Sequence, residues 1–212
     1  MKQIKIKNQN HEKLKLQILD HIAKDILNYG FRNFTLDEVA SNLHISKKMI
    51  YQVFQTKEEL IRAVIIAQLG SPYNSIHKIF KEESSTVEKL INLSIVVEQY
   101  YSAFNPTSIK RLAHYFPELA DYVEQFRNNR IIPLINQLLK DGKKKNLILD
   151  IPDQIIIEVF TSALGTIAES KSDNSTQYSY RQKFRQAFDI LLNGILTNEG
   201  KQLLNYKLEV IK

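Results

Sequence analysis

The chain has 212 residues, 43% apolar and 25% charged, with 29 Lys and Arg against 23 Asp and Glu and a formal charge of +6. These values exclude a disordered, collagen-like or coiled-coil chain, and the absence of cysteine excludes a disulfide framework, thiolate metal sites and a cysteine nucleophile. Six glycines and five prolines supply too little turn chemistry for a sandwich or barrel of short strands, so the expected class is all-α.

The charge is uneven: residues 1–69 hold 11 Lys and Arg against 7 Asp and Glu, leaving the longer remainder nearly balanced. A basic lobe is a weak pointer to a polyanion. The start, MKQIKIKNQNHEKLKLQ, is cationic but leads into no continuous apolar segment, and no 18-residue apolar run occurs. The expectation is a cytoplasmic protein with no membrane association.

In chain order, Leu14, Ile18, Leu19, Ile22, Ala23, Ile26 and Leu27 form one stripe of an amphipathic helix over 11–29, with Gly30 as its stop. Thr35-Leu-Asp-Glu38 is a capping box that opens a second helix, whose apolar positions are Leu36, Val39, Ala40 and Leu43. Ser46 caps a third helix, Lys47 to Phe54, which buries Ile50, Val53 and Phe54 and turns Lys48, Gln52 and Gln55 outward. A second box, Thr56-Lys-Glu-Glu59, opens a fourth helix that is expected to end at Gly70-Ser71-Pro72, where a domain boundary is placed.

Further helices are expected at about 74–82, 86–104, 107–116 and 117–141, the last stopped by Gly142 and kinked or broken near Asn129 to Pro133. Pro152 at a first helical position opens a helix to about Glu169. A polar loop over 170–177 leads to a final helix over about 178–197 and a tail whose Leu203, Leu204 and Leu208 can pack or fray.

Two short helices joined by a tight turn, the second with polar and basic side chains outward, make a helix-turn-helix over 36–54. Helix 36–43 would cross the phosphate backbone and helix 47–54 would enter a major groove. An ordinary helix pair of an all-α protein has the same periodicity.

The wording of the stretch decides between them. Gly30-Phe31-x-x-Phe34-Thr35, the Ile45-Ser46-Lys47 turn, Tyr51-x-x-Phe54 and Lys57-Glu-x-Leu60 together resemble the N-terminal domain of the tetracycline-repressor (TetR/AcrR) family, over about residues 11–65. The family usually has Gly where this chain has His44, at a turn that demands positive φ; His tolerates that conformation better than most residues. Family members often carry His or another ring at the position of Val53, so no contact is assigned there.

The resemblance implies that Thr35 caps its helix and bonds a phosphate, that Tyr51 bonds a phosphate through its hydroxyl, and that Lys57 holds the backbone from the start of the fourth helix. Lys47, Lys48, Met49 and Gln52 would lie nearest base edges: Lys donates to guanine, Gln pairs with adenine, and Met touches a thymine methyl. Lys2, Lys5 and Lys7 form either an arm near the minor groove or a solvated tail. The implied architecture is a three-helix DNA-binding domain with its connecting helix, residues 8–69, and a helical ligand-binding and dimerisation domain, residues 70–212.

For dimerisation, the small residues of 161–168 and the apolar stripe of the final helix nominate Phe160, Ala163, Leu164, Ile167, Phe184, Phe188 and Leu191, with ordinary intrachain core as the alternative. For a ligand pocket, the aromatic and polar stretch nominates Gln99, Tyr100, Tyr101, His114, Tyr115 and Phe126, again against ordinary core. The five histidines form no metal-binding or catalytic pattern, and neither a phosphate loop nor a nucleophile elbow occurs.

The combined reading is a homodimeric transcriptional regulator on a pseudopalindromic duplex DNA operator, a repressor released by a small-molecule effector. It has no catalytic residues, metal or cofactor. The alternative is an all-helical interaction or architectural DNA-binding protein without an effector.

Overall fold

The computed structural model describes residues 2–29, 35–170 and 177–210, with side chains described for 11–25, 35–170 and 177–206. The described residues form eleven α-helices and one π turn, without a strand. The sole β-type pairing among them is an isolated antiparallel bridge between Ile148 and Leu196. The helices are α1 Lys2–Tyr29, α2 Leu36–Asn42, α3 Lys47–Val53, α4 Lys57–Lys81, α5 Thr86–Ala103, α6 Pro106–Tyr115, α7 Pro117–Phe126, α8 Ile132–Lys144, α9 Asp153–Glu169, α10 Tyr180–Ile195 and α11 Asn198–Val210; the π turn, Arg127–Ile131, joins α7 to α8.

Local chemistry sets most of these boundaries. Ser85 and Ser179 start α5 and α10 with complete capping boxes, to Glu88 and Gln182. Asn105 caps α6, accepting from the Ser108 amide at 2.8 Å ahead of Pro106 at the first helical position. The interruption expected near Asn129 to Pro133 is the π turn. Pro133 has no amide proton for the Asn129 carbonyl, and the register slips so that the Ile132 amide donates to Arg127 O, five residues back.

Four expectations are corrected, and one left open is decided. α1 begins at Lys2 rather than near 11, so Lys2, Lys5 and Lys7 stand on a helical backbone and not in a flexible arm. α4 runs unbroken through Gly70-Ser71-Pro72 to Lys81. Pro72 forfeits one helical hydrogen bond, worth with its steric clash about 3 kcal/mol in a bare helix, but its ring is buried against apolar neighbours. α8 passes through Gly142 to Lys144, and the left-handed residue that ends it is Asn146, at φ 55°. Pro152 is the cap of α9, one place before the helix starts. The tail forms α11, anchored by buried Leu204. The expected stop at Gly30 and the Gly30–Phe34 part of the motif lie outside the described residues.

Two apolar cores share α4. The first joins Ile18 and Ile22 of α1, Leu36 and Val39 of α2, Ile50 of α3, Phe54 and the first half of α4. It also extends to Phe104, Leu112, Leu119 and Val123, so α6 and α7 brace the N-terminal helices across the expected boundary. The second core gathers Ile76 and Ile79 of α4 with α5, α8, α9, α10 and Leu204. Burial of each large apolar side chain contributes about 1.5–3 kcal/mol, so these cores, rather than helix propensity, hold the bundle.

Candidate functional site

The helix-turn-helix is built by its caps. The Glu38 amide donates to Thr35 Oγ1 at 3.1 Å and the Thr35 amide to Glu38 Oε2 at 2.9 Å, closing the box that starts α2. Ser46 starts α3, accepting from the Met49 amide at 3.2 Å. Thr56 starts α4, accepting from Glu59 at 3.0 Å, while the Glu59 carboxylate reaches one residue past the cap, to the Gln55 amide at 2.7 Å. Between α2 and α3 the chain turns through His44 at φ 53°, the left-handed conformation expected for that position. The Ile45 amide closes the turn onto the Ala40 carbonyl at 3.0 Å.

This framework fixes which side of α3 faces out. Ile50 and Phe54 are 1% and 2% exposed and lock α3 into the first core. Lys47, Lys48, Met49, Tyr51 and Gln52 all stand in solvent, with Met49 at 37% and Tyr51 at 46% exposure. Val53 is half-buried against the first core. Thr35 is exposed, and because its oxygen is the acceptor in the cap, its hydroxyl proton remains available to a phosphate. Lys57 is half-buried in the first turn of α4.

Lys47 has a prior partner. Its Nζ donates to Asp37 Oδ2 at 2.9 Å, tying the start of α3 to the first turn of α2. The Asp37 hydrogen bond and charge hold its pKa above the usual lysine range. Among the described residues Lys48 makes no such pair, so of the two lysines opening α3 it is the one without a carboxylate there.

The other half of the molecule is hollow. An apolar cavity of about 100 Å³ lies among α4, α5, α7, the π turn, α8, α9 and α10, walled by Leu69, Pro72 and Ile76, by Leu90, Leu93 and Val96, and by Ile156, Phe160, Leu164 and Phe188 among others. Tyr100, Tyr101 and Phe126 of the nominated pocket residues line it. Gln99, His114 and Tyr115 do not: all three are exposed, His114 and Tyr115 at the far end of α6. Burial pushes the Tyr100 phenol well above its ordinary range and the Tyr101 phenol up to about 12, the Arg127 charge opposing both shifts. Tyr101 donates to the Thr161 carbonyl at 3.3 Å.

Sequence reasoning missed most of this wall. Apolar residues at helical spacing read alike whether they meet a neighbour or a void, so α4 and α9 gave no warning. Arg127 had only a shared signal: Arg130 stands in the same stretch before Pro133, and the sequence does not tell which of the two reaches the chamber.

The nominated dimer residues divide. Leu164, Phe184 and Phe188 are 1%, 1% and 4% exposed within the chain, and the half-buried Phe160 ring packs edge-on against Phe188 at 5.6 Å. These four are intrachain core, because the small residues of α9 let α10 close onto the same side. Ala163, Ile167 and Leu191 are half-buried. The apolar side chains that α9 and α10 leave in solvent are Ile155, Val159 and Ile190, at 51%, 48% and 71% exposure.

Among the described residues no three His, Asp or Glu side chains are grouped to hold a metal ion, and no helix is long and apolar enough to cross a membrane. An outward, basic helix on a capped turn, joined by one long helix to a hollow bundle, defines a helix-turn-helix transcriptional regulator. Residues 18–64, the helix-turn-helix and its flanking helices, match the family model of bacterial regulatory proteins, tetR family. The HTH-type transcriptional regulator YvaF of Bacillus subtilis is 22% identical over 184 residues, covering 86% of this chain and 96% of its own. Among solved structures, a transcriptional regulator from Saccharomonospora viridis in complex with choline superposes with a TM-score of 0.72 at 13% identity, covering 88% of this chain and all of its own. The ketosteroid transcriptional regulator KstR2 of Mycobacterium tuberculosis does so at 0.65 and 17%, covering 87% and 95%. At such identities these two structures share the fold with this chain.

Proposed function

We propose that the chain is a cytoplasmic, homodimeric repressor that reads a pseudopalindromic operator with two copies of α3 and leaves it when a small molecule enters the chamber. The observation that carries this reading is the continuity of α4. Leu60, Ile61, Val64 and Ile65 belong to the core that holds α3, and Leu69, Pro72 and Ile76 wall the chamber on the same helix. Its 25 residues span about 37 Å. A ligand that fits better when the chamber wall has moved therefore tilts the lever that carries the DNA-reading helices, by no more than its differential affinity for the two states. The ion pair of Arg62 on α4 with Glu118 on α7, at 4.0 Å, is a second link between the halves.

In this reading Thr35, Tyr51 and Lys57 contact phosphates, while Lys48, Met49 and Gln52 meet base edges, with Lys47 joining them once Asp37 releases it. The domain division is best drawn within α4, residues 8–69 reading DNA and 70–212 binding effector and partner. Ile155, Val159 and Ile190 are the apolar positions left for a second copy, beside Ala163, Ile167 and Leu191. The relative crystallised with choline supports a small-molecule effector as a type. No catalytic step and no cofactor is assigned.

Selection of bound duplexes from a random pool, at one stated salt concentration, tests the reading, with a Lys48→Ala/Tyr51→Ala variant in parallel. The expected result is an inverted repeat whose half-sites lie one helical turn apart, roughly 34–36 Å, lost in the variant. Binding without a consensus identifies an architectural protein instead, and no enrichment at any salt overturns the reading.

A further inference from the structure

The chamber opens onto a surface groove, and the two share Arg127, Ile132, Ile157 and Thr161. Inside, Arg127 is the sole charged residue of the lining. Outside, the groove carries Lys140, Asp153 and Glu158 with Asn128, Asn136 and Gln154. Both carboxylates are already engaged: Asp153 accepts from Lys143 Nζ at 2.6 Å, and Glu158 from Gln154 Nε2 at 2.8 Å. The two cations are not. Among the described residues neither Arg127 nor Lys140 forms an ion pair, and the hydrogen bond Arg127 does make runs from Nε to its neighbour Asn128, at 3.3 Å. A half-buried guanidinium at the mouth of a dry cavity, its remaining donors uncommitted, is the arrangement that selects a planar anion.

The π turn begins at this residue, and the extra residue in the turn sets Arg127 where chamber and groove meet. Its charge acts on the buried Tyr100 and Tyr101 phenols as well. A cationic ligand is disfavoured: the aromatic walls would attract it, but the lining holds no carboxylate and the entrance holds a fixed positive charge. A neutral ligand would leave the guanidinium without a partner as it covered it, at a desolvation cost.

Resting on the chamber as the effector site, we propose that the effector is an amphiphilic anion, with a compact apolar body in the chamber and a carboxylate head in the groove paired with Arg127, Lys140 being the second cation of that groove. The volume sets the scale of the body. An enclosed apolar cavity of about 150 Å³ admits benzene, so a chamber of about 100 Å³ takes a short chain or a single small ring as it stands.

Calorimetry and thermal melting of the full chain test this with butanoate, hexanoate, octanoate and phenylacetate, against methyl hexanoate and hexyltrimethylammonium. At least one carboxylate should bind about tenfold or more tighter than the ester and the ammonium. Arg127→Gln should weaken that carboxylate about tenfold without changing ester binding, Arg127→Lys should restore part of the loss, and Ile157→Phe should block every probe. Circular dichroism confirms that the variants fold. Ester binding equal to hexanoate and indifferent to Arg127→Gln overturns the anionic head and keeps the chamber as a ligand site, as does a preference for the ammonium. No binding by any probe overturns the proposal, while the duplex selection judges the DNA-reading function separately.

Discussion

The two ends of α4 sit in bodies that use the same material in opposite ways. Around its first half, Ile18, Ile22, Ile50, Phe54 and Leu60 are at most 2% exposed, and their burial turns the polar side of α3 outward. Around its second half, equally apolar residues leave a hollow at the centre. In the proposed function the N-terminal body acts through side chains that point away from its core, and the C-terminal body through the space its core leaves. A tightly packed body transmits a tilt without absorbing it, whereas a hollow one has room for two packings, and the proposed lever rests on that contrast.

The largest effect should come from opening the closed body. Phe54→Ala is expected to cost about 3–5 kcal/mol in urea unfolding, whereas Phe160→Ala, which widens a void already present, should cost clearly less. Equal losses would mean that the two cores are packed alike. A smaller effect is expected where the C-terminal body does pack closely. A Cβ on Gly200, in the first turn of α11, would meet the backbone carbonyl of Leu147, so Gly200→Ala should destabilise by about 1–3 kcal/mol on thermal melting while leaving DNA binding at low temperature unchanged. The smallest effect compares the left-handed residue in each body. His44→Gly should stabilise by up to about 1 kcal/mol, because a histidine at φ 53° carries Cβ strain that glycine does not. Asn146→Gly should gain less, since Asn enters that region with less strain. A destabilised His44→Gly protein would show that the His44 ring makes a contact worth more than the strain.

Legibility followed the same divide. Thr35, Ser46 and Thr56 act as caps within three residues of the amides they serve, so the starts of α2, α3 and α4 were readable from the chain alone. His44 was readable as a left-handed turn only through the resemblance to a family that usually has Gly at that position. The Pro133 interruption was foreseen because a missing amide proton is a property of one residue, though its form, a π turn rather than a break, depended on how α7 and α8 pack. Pro72 misled. A proline preceded by Gly70-Ser71 has the local grammar of a helix end, and only the apolar wall that takes up its ring keeps α4 continuous.

By itself, then, the sequence determined the all-α class, the helix-turn-helix, its caps and the outward side of α3 with Lys48 and Gln52, because each depends on interactions within a few positions along one chain. The tertiary structure alone decided which aromatic residues line the chamber, that Phe184 and Phe188 face inward while Ile190 faces out, and that Arg127 stands at the mouth. Those facts depend on where the packed helices leave space, and a void has no residue of its own to announce it.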